Sequence, residues 1–443
     1  MLRMSIALFI GSIGWAMAAV AADGDLDPGF ADGGRLLIGA PDQSFLVGAA
    51  AVQPDGCLLL AGGLSDVSGG FFLNKIALWR FDAHGVADAD FGEKGQAVIT
   101  IDEPFAQATG VAQAGNGDLL LSAISGFRVA RFRADGAPAV GFGAGGQVVL
   151  DFAASGYGNA SAMAVVEDRG GRVVVVGGVG DGGSPGTYAP VLARVSGAGI
   201  PDESFGDGGR RIVELGTPAA PRDGWLSSLL ALRDGGVLAV GSAAGEHVTD
   251  GRGFLAVRLD ADGELAPGFG VAGIVFVQPP EGYGRGRQVV ADRDGFLLAG
   301  SCRTGDVDAE LCVLRLRADG SPDPAYGTGG WAHPAPGRMV RADVGAALQS
   351  DGRLLLSASS PFTSPVEFLV ARLDWAGHPD AGFGDGGAVT IGFDTAAGIS
   401  ASARAITVQG GRPVIAGEVS GDGVPSLAAV RLENALVFAG GFE

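Results

Sequence analysis

Ala371-Arg-Leu-Asp-Trp-Ala-Gly-His-Pro-Asp-Ala-Gly-Phe-Gly-Asp-Gly-Gly387 decides the fold. Arg372 sits in an apolar run, and Phe383 follows eleven residues later. The same pairing recurs as Arg80/Phe91, Arg131/Phe142, Arg194/Phe205, Arg258/Phe269, Arg315/Tyr326 and Arg431/Phe442. A spacing this constant, in a chain whose intervening lengths vary, marks one structural unit repeated seven times. The repeats begin near Phe30, Phe91, Phe142, Phe205, Phe269, Tyr326 and Phe383, each followed four residues on by a glycine, from Gly34 to Gly387.

Working outward, each aromatic–glycine corner leads into a short strand such as Arg35–Ile38 or Gln147–Leu150. A variable loop and a second strand follow, for example residues 49–53. Asp-Gly turns such as Asp55-Gly56, Asp294-Gly295 and Asp351-Gly352 supply the positive φ that a tight hairpin needs. The next strand is the most apolar (Arg172-Val-Val-Val-Val176), and after another variable loop comes the arginine strand (Ile76–Phe81). Four short hairpin-linked strands, apolar on both faces, describe a propeller blade, which buries its faces only against neighbours. The expected fold is therefore all-β: a seven-bladed β-propeller of four-stranded antiparallel blades in one domain, residues 23–443. A linear β-solenoid fits less well, because its repeats are usually shorter than this one of roughly 60 residues. The N-terminal strand Arg35–Ile38 precedes any full hairpin set, whereas the last copy stops after its arginine strand. Ring closure is therefore expected by addition of the N-terminal strand to the seventh blade.

These residues resemble the delta-60 repeat family: an Asp-Gly turn, an apolar strand ending in Ala-Gly, an Ala-Arg strand, then Leu-Asp-x-x-Phe-Gly-x-x-Gly. The match is clearest in Asp351–Ser357, Ala371–Leu373 and Asp380–Gly387 and covers essentially the whole chain after residue 22. Departures are Ala139 and Ala266 in place of the corner aspartate, Tyr326 for phenylalanine, and Leu436 for the last glycine. The resemblance implies a propeller-like fold in exported or surface bacterial proteins, with no common catalytic residue.

Composition agrees with many short strands and tight turns: 79 glycines, 47% apolar residues and 18% charged. A net charge of −19 disfavours nucleic acid as a partner. At the N-terminus, Arg3 precedes an apolar stretch from Met4 to Ile13, with candidate cleavage points after Ala18, Ala21 or Ala22. Residues 1–22 read as an export signal, and the apolar stretch is short for a membrane span. An exported monomer is expected, periplasmic, cell-surface or extracellular, without a transmembrane span in the mature chain. Cys302 and Cys312, at the end of one strand and inside the next, are placed for a hairpin disulfide. Cys57 has no evident partner and reads as a small buried apolar residue.

The seven arginines Arg80, Arg131, Arg194, Arg258, Arg315, Arg372 and Arg431 recur in every unit, so their expected role is structural. In apolar surroundings each needs a partner, either its corner aromatic or backbone carbonyls. Turn aspartates (Asp88/Asp90, Asp260/Asp262, Asp292/Asp294) lack a calcium ligand series, and the four histidines lack zinc spacing. No metal, cofactor or catalytic residue is assigned. The ligand face is expected where the symmetry breaks, in the variable loops 39–48, 62–74, 177–189, 215–227, 243–253, 278–286 and 333–343. Those loops supply Tyr188, Arg222, Trp225, His247, Tyr283 and Arg285 as candidate binding residues, suited to a glycan or a protein. The expected function is a non-catalytic binding or scaffold module. The alternative is a polysaccharide-acting enzyme with residues gathered at the axis. The apolar tail 435–443 reads as completing the last corner, or as a sorting signal.

Overall fold

The computed structural model describes residues 22–66, 75–101, 106–182, 187–217, 220–245, 251–303, 309–341, 343–360, 366–393, 400–421 and 424–434. The segment expected to be an export signal, His247, Phe442 and the apolar tail lie outside them, except that Ala22 is the first residue described.

Seven four-stranded antiparallel sheets follow one another along the chain. Blade 1 comprises Gln43–Val52, Leu58–Asp66, Lys75–Phe81 and Gln96–Thr100; blade 2 comprises Ala108–Gln113, Leu119–Ala123, Phe127–Phe132 and Gln147–Leu150. Blade 3 holds Asn159–Glu167, Val173–Gly180, Tyr188–Val195 and Arg210–Ile212; blade 4 holds Gly224–Ala231, Val237–Ala244, Arg252–Leu259 and Ile274–Val277. Blade 5 is Tyr283–Asp292, Gly295–Arg303, Ala309–Arg317 and Trp331–Ala332, with Met339–Val340 added beside its third strand. Blade 6 is Gly345–Leu348, Leu354–Ser359, Phe368–Leu373 and Ala388–Ile391. Blade 7 is Ser400–Gln409, Arg412–Gly421 and Val424–Arg431, completed by Arg35–Ile38 from the other end of the chain. The first strand of each blade contacts that of the next, and the seventh contacts the first. The fold is a closed seven-bladed β-propeller.

Because both faces of each blade are apolar, the core is divided into seven clusters, one between each pair of adjacent blades. The cluster joining blade 7 to blade 1 packs Phe30, Leu36, Phe45, Leu58 and Trp79 against Val414, Ala416, Leu427 and Ala429. Closure therefore buries apolar surface as every other seam does, rather than relying on one added ladder.

Each corner arginine rivets its blade to the next. Six lie over an aromatic ring: Arg80 over Phe91 (4.6 Å), Arg131 over Phe142 (6.0 Å), Arg194 over Phe205 (4.5 Å), Arg315 over Tyr326 (6.0 Å), Arg372 over Phe383 (4.6 Å) and Arg431 over Phe30 (4.7 Å). The guanidinium then bonds a carboxylate eight residues on: Arg80 to Asp88, Arg194 to Asp202, Arg315 to Asp323 and Arg372 to Asp380. Where that position is Ala139 or Ala266, the carboxylate comes from the hairpin turn instead, Asp118 for Arg131 (2.8 Å) and Asp234 for Arg258 (2.6 Å). A further N–H crosses the seam to a carbonyl of the next blade, as in Arg80 to Ala134, Arg131 to Gly197 and Arg194 to Ala261. Arg194 and Arg372 have side chains only 1% exposed, which a guanidinium tolerates only with this full set of partners.

The seventh corner is split between the termini. Arg431 lies over Phe30 from the other end of the chain, while Phe442, which the eleven-residue spacing selects, is outside the described residues; the carboxylate is Asp27, 2.6 Å from Arg431 Nε. Asp27 stays below the usual carboxylate range: burial would raise it, but the Gly29 N–H, Arg431 and Arg412 outweigh burial. Asp23 accepts from Arg372 (2.6 Å), and its carbonyl receives the Gly384 N–H, as the Asp135 carbonyl receives Gly92 and that of Asp262 receives Gly206.

Cys302 and Cys312 form a disulfide across the second and third strands of blade 5, with Cα atoms 5.8 Å apart. Cys57 is half-buried rather than buried. Apart from one 3-10 turn at Ala153–Ser155 the described residues hold no helix, so none is long and apolar enough to cross a membrane.

Candidate functional site

The innermost strands run longer than their apolar pattern suggests. Blade 1 starts pairing at Gln43 rather than near Ala49, because a bulge shifts the register between Val47 and Ala49. Equivalent bulges fall between Ala108/Gly110, Ala162/Ala164, Leu226/Ser228, Gly286/Gln288 and Ala403/Ala405. A bulge leaves one residue unpaired and re-aims its side chain. In five blades the strand opposite answers with a glycine: Gly62, Gly177, Gly241, Gly300 and Gly417. A Cβ there would collide with the bulge carbonyl of Leu46, Ser161, Trp225, Arg285 or Ser402 respectively.

The bulged residues converge on the axis. Gly48, Thr109, Met163, Ser227, Arg287 and Arg404, joined from blade 6 by Val344 just before its first strand, line a single channel cavity of about 270 Å³, with Gln107 and Asp343 beside them. Arg404 is held on both sides, by Asp343 and by Glu418 (2.6 Å). Burial pushes the Glu418 carboxyl up despite Arg404, and Glu418 also accepts the Val47 N–H, so it braces the seam between blades 7 and 1. Arg287 differs: it makes no hydrogen bond or ion pair among the described residues, and its Nε is shielded from solvent without a partner. Burial lowers its pKa; Asp343 counteracts this, while Arg285 and Arg252 reinforce it.

The innermost strands travel from the variable loops toward the short Asp-Gly turns, so the upstream end of the channel opens on the variable-loop face. There Met163, Trp225, Ser227, Ser242, Arg252, Arg285 and Arg287 surround a cavity of about 370 Å³. Arg252 donates from both terminal nitrogens to Oδ2 of Asp223, and Arg285 donates from Nε to the Tyr283 hydroxyl (3.0 Å). A second cavity of about 230 Å³ lies beside it, lined by Tyr157, Tyr188, Glu214, Thr217 and Arg222 among others. The Tyr188 and Trp225 rings meet edge to face (5.0 Å) between the two, and Asp223 also accepts the Tyr188 N–H.

Of the residues expected from sequence, Trp225 and Arg285 share the channel mouth, and Tyr188 and Arg222 share the neighbouring cavity. Tyr283 flanks the mouth, sandwiched with Arg303 at 4.0 Å. Arg222 is occupied internally, donating to the Ala244 carbonyl and lying over Phe276. His247 is outside the described residues. Arg252 and Arg287 were not anticipated. Aligning the repeats on the residue five before Gln53, Asp168, Asp292, Gln349 and Gln409 would have exposed Arg287 as a charge in a column otherwise holding Gly48, Met163, Val344 and Arg404.

The described histidines do not gather at the axis: His84 and His378 are exposed, and His333 faces Glu281 (3.3 Å). Among the described residues no group of three or more His, Cys, Asp or Glu is arranged to hold a metal ion.

No family model matches the chain, and no curated protein matches it. Solved structures with similar folds exist. Virginiamycin B lyase from Staphylococcus aureus is 11% identical, with 90% of this chain and 99% of that one covered at a TM-score of 0.48. A protein of unknown function from Dyadobacter fermentans is 13% identical over 92% and 100% of the two chains, at 0.45. The extracellular domains of Drosophila Semaphorin 1b are 10% identical over 92% and 88%, at 0.46.

Proposed function

We propose that this chain is an exported, monomeric repeat protein of the delta-60 type, a non-catalytic binding module that presents the channel mouth to a glycan or protein ligand. The observation that carries the reading is the meeting of Trp225, Arg285 and Arg287 at one cavity, on the face where the seven repeats diverge. An aromatic ring, hydroxyls and unengaged N–H donors in a preformed concavity are what a polar ligand needs. Paired innermost strands hold Trp225, Arg285 and Arg287, and the Cys302–Cys312 bridge suits an oxidising compartment. The enzymatic alternative needs free acid–base groups at the axis. Asp343, which lines the axial cavity, is engaged by Arg404, as is Glu418.

The test is a thermal-shift panel on residues 22–443 with cell-wall and extracellular polysaccharides, calcium and a chelator. A ligand at a hundred times its Kd adds about 2.7 kcal/mol, roughly 3 °C for a chain of this size. A shift with a saccharide, abolished by Trp225→Ala, supports the reading. Turnover of that saccharide would replace it with the enzymatic one.

A further inference from the structure

Resting on the reading of the channel mouth as a binding site, we propose that its ligand is an acidic saccharide, whose single carboxylate is received by Arg285 and Arg287. The chain carries 19 more acidic than basic groups, yet these two guanidiniums have no carboxylate partner among the described residues. Neighbouring carboxylates do exist, but Asp223 is taken by Arg252 and Asp343 by Arg404. Two like charges therefore stand two residues apart beside a cavity, with Arg287 Nε shielded from water and unsatisfied. Withdrawing a charged donor from water without a partner destabilises the fold, so the arrangement is unfavourable until an anion fills it. Guanidinium N–H pairs match the planar oxygens of a carboxylate in bidentate fashion.

The rest of the wall selects what bears the charge. Ser227 and Ser242 offer hydroxyls, while Trp225 and Met163 offer apolar surface, together matching the edge and face of a sugar ring. A highly charged anion fits less well, because Asp223 and Asp343 lie at the margin. A single carboxylate halves the unpaired charge of Arg285 and Arg287 without crowding those two aspartates.

The experiment is isothermal titration with two monoanions, the methyl glycosides of galacturonate and glucuronate, each as free acid and as methyl ester, against wild type, Arg285→Gln, Arg287→Gln and Trp225→Ala. The free acids should bind and the esters should bind at least about tenfold more weakly. Each arginine variant should lose about tenfold or more toward the acids and distinctly less toward the esters, whose carbonyl accepts without carrying a charge. Arg287→Gln should also melt at or above the wild-type temperature without ligand, because it removes an unpartnered charge; this separates lost recognition from lost folding. Equal binding of acid and ester, still abolished by Trp225→Ala, would overturn the anionic assignment and keep the binding face. No binding of either acid, or full affinity in Arg287→Gln, would overturn the assignment outright.

Discussion

Tying the two chain ends together at the seventh blade should stabilise the ring more than the same cross-link inside a blade. Leu37 pairs with Ala428 across the closing seam, and Val98 pairs with Ala77 at the equivalent place in blade 1. Leu37 is exposed and Ala428 is small, so replacing both by cysteine removes little buried apolar surface. Chain-entropy scaling gives about 6 kcal/mol for the loop of roughly 390 residues closed by Leu37→Cys/Ala428→Cys. The loop of roughly 20 residues closed by Ala77→Cys/Val98→Cys gives about 3.5 kcal/mol. The predicted difference is about 2.5 kcal/mol, and strain largely cancels because the two sites occupy the same place in a blade. With about 2.1 cal/mol/K of unfolding entropy per residue, the gap corresponds to roughly 3 °C in Tm. The assay is calorimetry of oxidised and reduced forms in a Cys57→Ser background, each referenced to the parent treated identically. Failure of the seam pair to oxidise in the folded protein would refute the closure geometry. A seam gain no larger than the blade gain would refute the claim that closure links the ends of one cooperative chain.

Other outcomes follow from the corner and the bulge. Arg194→Ala should cost about 3–5 kcal/mol in urea unfolding, since it strands Asp202 against a buried seam, whereas exposed Arg133→Ala should stay within about 0.5 kcal/mol. Gly241→Ala should destabilise and displace the Trp225 backbone, seen as a changed tryptophan fluorescence maximum; an unchanged spectrum and Tm would contradict the bulge packing. Asp27, Asp202 and Asp234 are all held below the usual carboxylate range although burial opposes it, by Gly29 and Arg431, by Ser204 and Arg194, and by Gly236 and Arg258 respectively. A lowered folded pKa gives stability that is complete above about pH 4 and lost as pH falls through the folded value. Urea midpoints should therefore drop steeply on the acid side, and Asp27→Asn should shallow that slope; an identical slope would count against the seventh-corner ion pair.

The architecture was legible because propeller corners demand particular residues: a buried arginine, a ring to cover it and glycines at positive φ, such as Gly95 and Gly387. Closure by Arg35–Ile38 was legible for the same reason. That Phe30 covers Arg431 was not legible from the spacing, because counting eleven residues along the chain points to Phe442. Asp23–Gly34 already carries the second half of a corner without an arginine of its own, and that half docks on Arg431. The channel was largely illegible. Bulges break the alternation that marks a strand, so the pattern gave no sign that Arg287 and Arg404 face the axis. Trp225 and Arg285 were found as loop residues, although both belong to innermost strands running past the bulge.

Amide hydrogen exchange of residues 22–443, with and without a saturating methyl glycoside of galacturonate, tests most directly that the variable-loop mouth of the channel is where this protein binds. The account predicts slowed exchange confined to Tyr283–Gln288, Gly224–Ser228 and the ends of the strands bearing Ser242 and Arg252. Protection centred on the opposite face, at the Asp55-Gly56, Asp294-Gly295 and Asp351-Gly352 turns, or at no site at all, would contradict it.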